Sequence, residues 1–291
     1  MNKPNPLSYI FVWLISTIAY ILLYLVLRTM DISPVLFTLG PIQIRWYGLM
    51  YVIAIFLGLY LLKKDFEKFH INVNWNEFEN AAFWVIIFAL LGARLYHVLP
   101  NWDYYGKHPS EILAVWHGGL GIYGGVIGGL IVGYIIARIK KWDFWLLANL
   151  VMPYLALGQA IGRWGNFFNK ELYGPPTDLP WAIYIPLANR LPRYRDFETF
   201  HPTFLYEGIL DLANFFILYY LKEAGWFRKR GALVAIYLIN YGIIRFFVEF
   251  FRPDSDSVMG IKLAHIVSVG AILAGIVWLL LIQRREVSDE V

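Results

Sequence analysis

Eight long apolar runs, separated by short polar connections, constrain most strongly what this chain can fold into. A helix that crosses a bilayer needs about 20 mostly apolar residues. The runs that meet this condition are Leu7–Leu27, Ile42–Leu62, Glu79–Leu99, Leu113–Ala137, Phe144–Ile161, Phe204–Leu221, Ala232–Phe250 and Lys262–Ile282. Hydrophobic residues make up 59 % of the chain and charged residues 16 %, whereas soluble domains average about 45–50 % and roughly 25 %. We therefore predict an all-α polytopic integral membrane protein and exclude a soluble domain, a disordered chain and a nucleic-acid binder.

The first apolar run differs from a cleaved signal peptide. It is longer than the ~7–15 apolar residues of a signal sequence, and Arg28, Thr29, Met30 and Asp31 follow it instead of a small-residue cleavage site. We predict that residues 1–31 form a retained, extra N-terminal transmembrane helix. Residues 32–291 then form the main membrane domain, with an outward-facing head segment at about 163–203.

The basic residues of the short loops indicate the orientation. If the eight spans alternate in direction, thirteen of the 25 Lys and Arg residues lie on one side. Cytoplasmic loops are enriched in Lys and Arg, so we predict that this side, with both termini, is cytoplasmic. The thirteen residues are Lys3, Lys63, Lys64, Lys68, Arg138, Lys140, Lys141, Lys222, Arg228, Lys229, Arg230, Arg284 and Arg285. Membrane topology thus explains the net charge of +4.

The fourth span contains a glycine row, Gly121, Gly125, Gly129 and Gly133. Spacing by four places these residues on one helix face, where small residues allow another helix to approach closely. The preceding stretch, His117–Gly125, is less regular than packing requires. It could instead be backbone that must lie near a ligand.

A polar run, Gly162–Gly174, follows the fifth span. Its arginine, asparagines and glutamate are costly at a membrane boundary unless they are paired. Its glycines predict a tight, non-helical backbone, although a solvated helix cap is the alternative. The polar residues of the run are Arg163, Asn166, Asn169, Lys170 and Glu171.

The seventh span adds Tyr241, Arg245, Glu249 and Arg252, whose spacing of four, four and three predicts one shared helix face. A structural ion pair is one interpretation, but an ionisable residue inside a span more often marks a functional site. Similar depth is predicted for Arg94, His97, His201 and Glu207. We therefore expect polar groups of several helices to gather in the outer half of the membrane. Because guanidinium groups bind phosphate through two parallel hydrogen bonds, they suggest an anionic lipid headgroup as the ligand.

Other site chemistries have no support in the sequence. The chain has no cysteine, so it has no thiolate of its own for catalysis or metal binding. The six histidines show no metal-ligand spacing, and no nucleotide or serine-hydrolase motif is present. We predict a reaction without a cofactor.

The run from Gly162 to Gly174 fills every specified position of the pattern Gly-Arg-x-Gly-Asn-Phe-x-Asn-x-Glu-x-x-Gly. This pattern resembles the signature of the prolipoprotein diacylglyceryl transferases. Four further stretches agree with that family in order: Trp46–Tyr51, Gly118–Gly125, His201–Glu207 and Arg245–Arg252. The resemblance extends from about Ser33 to the C-terminus, so the first span lies outside it.

The resemblance implies transfer of a diacylglyceryl group from phosphatidylglycerol to the lipobox cysteine thiol of a prolipoprotein. The products are a thioether and glycerol 1-phosphate, and the reaction belongs to bacterial lipoprotein maturation. It implies a place in the cytoplasmic (inner) membrane, with the site toward the outer face. The implied partners are phosphatidylglycerol, the prolipoprotein signal peptide and membrane lipids, and no cofactor or nucleic acid takes part.

The resemblance also implies residue roles. Arg163 and Arg245 would bind phosphate, with Tyr47 and Tyr123 as further catalytic candidates. The family often has histidine where Tyr123 stands, and a tyrosine hydroxyl with an ordinary pKa of ~10 is a poor base. His201 and Glu171 are therefore alternative bases for the thiol. The substrate-binding residues would be Arg163, Asn166, Asn169, Glu171, Gly174, His201, Glu249 and Arg252.

Two other functions, a transporter and a scaffold, have less support from the sequence. A transporter would also place arginines in the membrane, but its site would lie near the midplane between internal repeats, and we find no repeat. A scaffold would not require buried charges.

The first span carries no acidic or basic residue, so we predict that deleting residues 1–28 leaves transfer activity per folded molecule.

Overall fold

A computed structural model of the protein describes residues 4–40, 42–115, 118–253, 257–258 and 260–289. Lys3 and His117, which the sequence analysis singled out, lie outside the described residues. The helices of the described part are α1 (Pro6–Leu27), α2 (Trp46–Lys68), α3 (Trp75–Val98), α4 (Trp102–Tyr105), α5 (Ile122–Ile139), α6 (Phe144–Asn169), α7 (Thr203–Glu223), α8 (Ala232–Val248) and α9 (Leu263–Asp289). Within the described ranges, eight helices are long and apolar enough to cross a membrane. The prediction of a mostly helical, multi-pass membrane protein is confirmed.

Three short antiparallel hairpins connect the helices. β1 (Val35–Leu39) pairs with β2 (Ile42–Arg45), and β3 (Ile183–Tyr184) pairs with β4 (Thr199–Phe200). β5 (Ser257–Val258) pairs with β6 (Ile261–Lys262). The predicted start of the second span was wrong, because its first four residues form β2 and the helix begins at Trp46.

The fourth span also begins later than predicted, at Ile122 instead of Leu113. Gly118 and Gly119 have φ angles of 87° and 73°. These left-handed conformations are accessible to glycine at little cost but end a right-handed helix. The apolar sequence continues across this point, so hydropathy alone placed the boundary too early.

The prediction of a non-helical backbone over Gly162–Gly174 was wrong for its first eight residues, because α6 continues to Asn169. A Cβ on Gly165 would lie 2.5 Å from Cδ2 of Tyr47. This glycine therefore provides space for a ring rather than a turn. The tight turn comes only after the helix, where Lys170 and Leu172 have φ angles of 54° and 53°.

The chain divides into two compact units, one of Met1–Leu62 and Ala148–Val291 and the other of Lys63–Leu147. In the first unit, α1, α6 and α7 enclose an aromatic core that includes Tyr24, Phe167 and Phe204. This core lies beside the C-terminal half of α6. It fixes the helix that carries Arg163.

In the second unit, α3 and α5 pack closely through glycine. A Cβ on Gly92 would collide with the Gly124 carbonyl, and a Cβ on Gly124 with the Gly92 carbonyl. The predicted row does face α3: a Cβ on Gly125 or Gly129 would lie 3.5 Å from the side chain of Ala93 or Ala89. The closest backbone approach, however, uses the neighbouring Gly124 and Gly128.

Candidate active site

The centre of the candidate site joins α6 to α7. The Arg163 guanidinium places Nη2 2.6 Å from Oε1 of Glu207 and Nε 3.6 Å from Oδ2 of Asp211. Glu207 and Asp211 are one helical turn apart on α7, and both side chains are completely buried. Their charge is stabilised by the guanidinium, since a buried carboxylate is costly without a cationic partner.

Glu207 also binds a second arginine. Nη2 of Arg252 donates to its Oε2 at 2.6 Å, so each carboxylate oxygen accepts from a different guanidinium. The prediction that Arg252 shares a helix face with Arg245 was wrong. Helix α8 ends at Val248, a 3₁₀ turn covers Glu249–Phe251, and Arg252 is extended. This bend allows Arg252 to reach α7.

Arg245 forms the predicted pair with Glu249, with Nη2 and Oε2 2.8 Å apart. Lys262 Nζ donates to the carbonyls of Glu249 and Arg252 at 2.6 and 2.5 Å. We call these residues the arginine–carboxylate cluster: Arg163, Arg245, Arg252, Lys262, Glu207, Asp211 and Glu249. With every group ionised, its four cations and three carboxylates leave an excess of one positive charge.

Several donors of the cluster are not used within the described part of the chain. Arg163 Nε, Arg245 Nη1 and Arg252 Nε are buried and make no hydrogen bond there. An unsatisfied buried donor costs about 1–3 kcal/mol. Both oxygens of Asp211 and of Glu249 also make no hydrogen bond there. The cluster thus holds unused donors and acceptors, and its excess positive charge favours an anion as the ligand.

The turn after α6 brings together three predicted residues. Asn166 Nδ2 donates to Oε1 of Glu171 at 2.8 Å, and Asn169 Nδ2 approaches the same oxygen at 3.5 Å. The positive φ angles of Lys170 and Leu172 fold Glu171 back toward these amides. Burial lowers the pKa of Lys170, whose ammonium lies 4.6 Å from the centre of the Phe167 ring. Because Glu171 accepts from the amides of Asn166 and Asn169, it stabilises this turn.

Tyr47 packs against the same stretch of α6. Its ring contacts Gly165, and its hydroxyl lies 3.0 Å from that of Tyr51. Gly165 is two residues from Arg163. Tyr47 is thus packed against the helix that carries the cluster, which an interfacial tyrosine would not require.

Gly174 and His201 hold the segment that enters α7. The Gly174 N–H donates to the His201 carbonyl at 2.8 Å. A Cβ on Gly174 would lie 2.7 Å from Oγ1 of Thr203 and 3.0 Å from the Phe251 carbonyl, so only glycine fits. His201 Nδ1 lies 3.0 Å from the Tyr206 hydroxyl, and burial lowers the pKa of its imidazole.

Arg94, His97 and Tyr123, which the sequence analysis also considered, lie in the second unit. Tyr123 is 40 % exposed and packs its ring 6.0 Å from that of Tyr96. Arg94 is buried and donates to the carbonyls of Glu111, Ile112, Gly118 and Gly119 at 2.6–2.9 Å. A cavity of about 480 Å³ lies beside Arg94 and His97.

Sequence reasoning missed three contributors to the site. Asp211 could have been found, because Glu207 and Asp211 are an acidic pair spaced by four inside a span. Lys262 was assigned to a span end, and no local pattern indicates its bonds to two carbonyls. Tyr20 lies in the span that was excluded from the site, yet its hydroxyl donates to the Ala160 carbonyl on α6 at 2.8 Å.

Comparison with a family model and with individual known proteins identifies the same family. A family model described as prolipoprotein diacylglyceryl transferase matches residues 34–281. The chain is similar to proteins named phosphatidylglycerol–prolipoprotein diacylglyceryl transferase from several bacteria. It is 44 % identical to that of Trichormus variabilis over 270 residues, covering 89 % of this chain and 93 % of the relative. It is 40 % identical to that of Finegoldia magna over 259 residues, covering 88 % and 98 %.

Proposed function

This chain belongs to the prolipoprotein diacylglyceryl transferase family, and we propose that the arginine–carboxylate cluster is its reaction centre. The protein is a multi-pass membrane transferase that takes a diacylglyceryl group from phosphatidylglycerol to a prolipoprotein. The acceptor we propose is the thiol of the lipobox cysteine. The reaction then forms a thioether and releases glycerol 1-phosphate.

One observation supports this centre above the others: three partly exposed arginines, paired with fully buried carboxylates, each keep one nitrogen without a hydrogen bond in the described residues. In the proposed step, the thiolate sulfur attacks the glycerol carbon that bears the phosphate. The carbon–oxygen bond breaks, and its electron pair goes to the phosphate oxygen. The phosphate gains negative charge during this step, so oriented cationic donors stabilise the transition state more than the bound lipid.

The carboxylates act by positioning the arginines. Glu207 binds both Arg163 and Arg252, and Glu249 binds Arg245, so the guanidinium groups are held before the lipid arrives. Preorganised donors need no reorientation when charge develops. The amides of Asn166 and Asn169, through Glu171, hold the turn beside the headgroup.

The thiol must lose a proton, because a free cysteine has a pKa of ~8.5 and the thiolate is the nucleophile. Among Tyr123, His201 and Glu171, we propose His201 as the acceptor. Its Nδ1 lies 3.0 Å from the Tyr206 hydroxyl, which orients the imidazole. Its ring lies 5.6 Å from that of Phe251, the residue before Arg252.

We place the protein in the bacterial cytoplasmic (inner) membrane, with the cluster toward the outer face and both termini in the cytoplasm. The basic loops support this orientation. The substrates meet on the proposed side, because the lipobox of a translocating prolipoprotein lies just outside the membrane.

The test is transfer by purified protein from phosphatidylglycerol labelled in its acyl chains to a lipobox peptide. We expect label on the peptide and none on a matched Cys→Ser peptide. Label released without peptide modification would contradict the proposal. A second assay measures lipid flux in proteoliposomes, and flux without transfer would support a transporter instead.

A further inference from the structure

Helix α1 precedes the region that the family model matches, residues 34–281, yet it contacts the proposed centre. It packs along α7 and belongs to the same compact unit as α7–α9 and as α6 from Ala148 onward. The sequence analysis predicts that residues 1–28 are dispensable for chemistry. The contacts of α1 argue against that prediction.

Tyr20 is the residue of α1 closest to the chemistry. Its hydroxyl donates to the Ala160 carbonyl at 2.8 Å, and Ala160 lies one helical turn before Arg163. Its ring lies 4.9 Å from the ring of Trp164, the residue after Arg163. Tyr20 therefore contacts α6 on both sides of Arg163.

The same hydroxyl packs on α7. A Cβ on Gly208 would collide with the Tyr20 hydroxyl, so only glycine permits this contact. Gly208 lies between Glu207 and Asp211, which both bind Arg163. Tyr20 thus lies beside the ion pairs that join Arg163 on α6 to Glu207 and Asp211 on α7.

We propose that Tyr20 is a positioning residue for the transfer reaction, acting by fixing the Arg163 guanidinium between Glu207 and Asp211. This inference rests on the proposed role of Arg163. The tyrosine contacts both helix turns and so sets their spacing. A misplacement of about 1 Å can cost ~100-fold in rate, so the position of the Arg163 guanidinium affects the reaction.

Tyr24 provides a matched control on the same helix. Its hydroxyl donates to the Trp181 carbonyl at 2.7 Å, so Tyr24→Phe and Tyr20→Phe each remove one hydroxyl that donates to one backbone carbonyl. Both tyrosines pack on aromatic rings that the phenylalanine retains. The hydroxyls differ in what they contact: that of Tyr20 binds α6 and packs on Gly208 of α7, whereas that of Tyr24 binds Trp181 in the segment between these helices.

The experiment compares both variants in initial rates against phosphatidylglycerol concentration, with protein shown to be monodisperse and its thermal midpoint measured. One hydrogen bond corresponds to roughly a 2- to 10-fold change in rate. We expect kcat of Tyr20→Phe to fall about 5- to 10-fold with KM nearly unchanged, because a misplaced donor acts mainly in the transition state. We expect kcat of Tyr24→Phe to stay within about twofold. Gly208→Ala displaces Tyr20 from the other side and should lower kcat as well.

A double variant distinguishes positioning from general stability. In an Arg163→Lys background, Tyr20→Phe should cost little more, because the ligand it positions is already altered. Additive losses, or a lowered thermal midpoint with unchanged kcat, would overturn the inference. An inactive Arg163→Ala beside a fully active Tyr20→Phe would overturn this inference alone. An active Arg163→Ala would overturn the proposed phosphate site and this inference together.

Discussion

Two arginines, one in each compact unit, use the same side chain in different ways: Arg94 is buried, whereas the Arg163 side chain is 17 % exposed. Arg94 donates from all three guanidinium nitrogens to four backbone carbonyls of the stretch between α4 and α5. Arg163 binds two carboxylates and keeps its Nε without a hydrogen bond in the described structure. The more deeply buried arginine is therefore not the one that we propose to bind phosphate.

The two arginines differ in how many of their N–H donors make hydrogen bonds within the protein. The donors of Arg94 are directed to carbonyls that fix Gly118 and Gly119 in their left-handed conformation, so this arginine organises a loop. Arg163 belongs to a cluster with excess positive charge and three unused donors. Four predictions test this distinction.

Arg163→Ala and Arg245→Ala should give the largest effect. Loss of one donor to a developing oxyanion costs ~10²–10³ in rate, so each variant should lose at least about 100-fold in transfer. Lysine should rescue only partly, since a point charge cannot supply the planar fork. The double variant should be less than additive, because residues that act as a unit are not independent.

The control for these variants is folding, since removing one partner of a buried ion pair costs ~3–5 kcal/mol. Rates must therefore be normalised to monodisperse protein of measured thermal stability. Near-normal transfer by both folded alanine variants would show that the leaving charge is neutralised elsewhere.

Arg94→Lys should show the opposite pattern. A lysine cannot reach all four carbonyls, and a lost bond to a charged donor costs about 1.5–3 kcal/mol. We expect a clearly lower thermal midpoint but a smaller loss of transfer per folded molecule than in Arg163→Lys. If Arg94→Lys is stable and inactive, Arg94 belongs to the chemistry and the comparison fails.

Glycine variants of α5 sharpen the structural role of the second unit. Gly124→Ala would place a methyl against the Gly92 backbone, which cannot move away, whereas Gly129→Ala meets only ordinary contacts at 3.5 Å. Overpacking costs about 1–3 kcal/mol, so thermal denaturation should separate the two variants. Equal midpoints would mean that α3 and α5 do not approach as closely as described.

The smallest expected effect is the contribution of His201 to the pH dependence of thermal stability. Burial lowers the pKa of His201 below its ordinary value of 6.5, so the folded protein binds this proton less readily than the unfolded chain. The stability that neutral His201 contributes is therefore complete above pH 6.5 and decreases as the pH falls below it. The thermal midpoint should drop slightly more in the wild type than in His201→Gln between pH 7.5 and 5.5. Identical drops would exclude this contribution.

The spans and the signature were readable from the sequence because both are local properties. An apolar run of about 20 residues indicates a membrane helix whatever surrounds it, and Arg245 and Glu249 pair because they are one turn apart. The end of α6 was misjudged because Gly165, which accommodates a tyrosine ring, has the same local appearance as a turn glycine.

The long-range contacts of the cluster could not be predicted from the sequence. Arg163 and Glu207 are 44 residues apart, and Arg252 reaches Glu207 across 45. Tyr20 and Ala160 are 140 residues apart. Spacing patterns describe single helices, so they cannot identify which carboxylate a given arginine will bind or which helix will cover it.

The hydrogen bonds of α1 have a consequence for biosynthesis. Tyr20 and Tyr24 bind carbonyls that lie 140 and 157 residues later in the chain. At ~5–20 residues per second, the ribosome needs roughly 7–30 s to make the first of these partners. Throughout that interval α1 resides in the bilayer without its final contacts. The cluster is complete only after α7, α8 and Lys262 have been made, and a nascent chain that stalls before α7 lacks Glu207 and Asp211, the carboxylates that pair with Arg163.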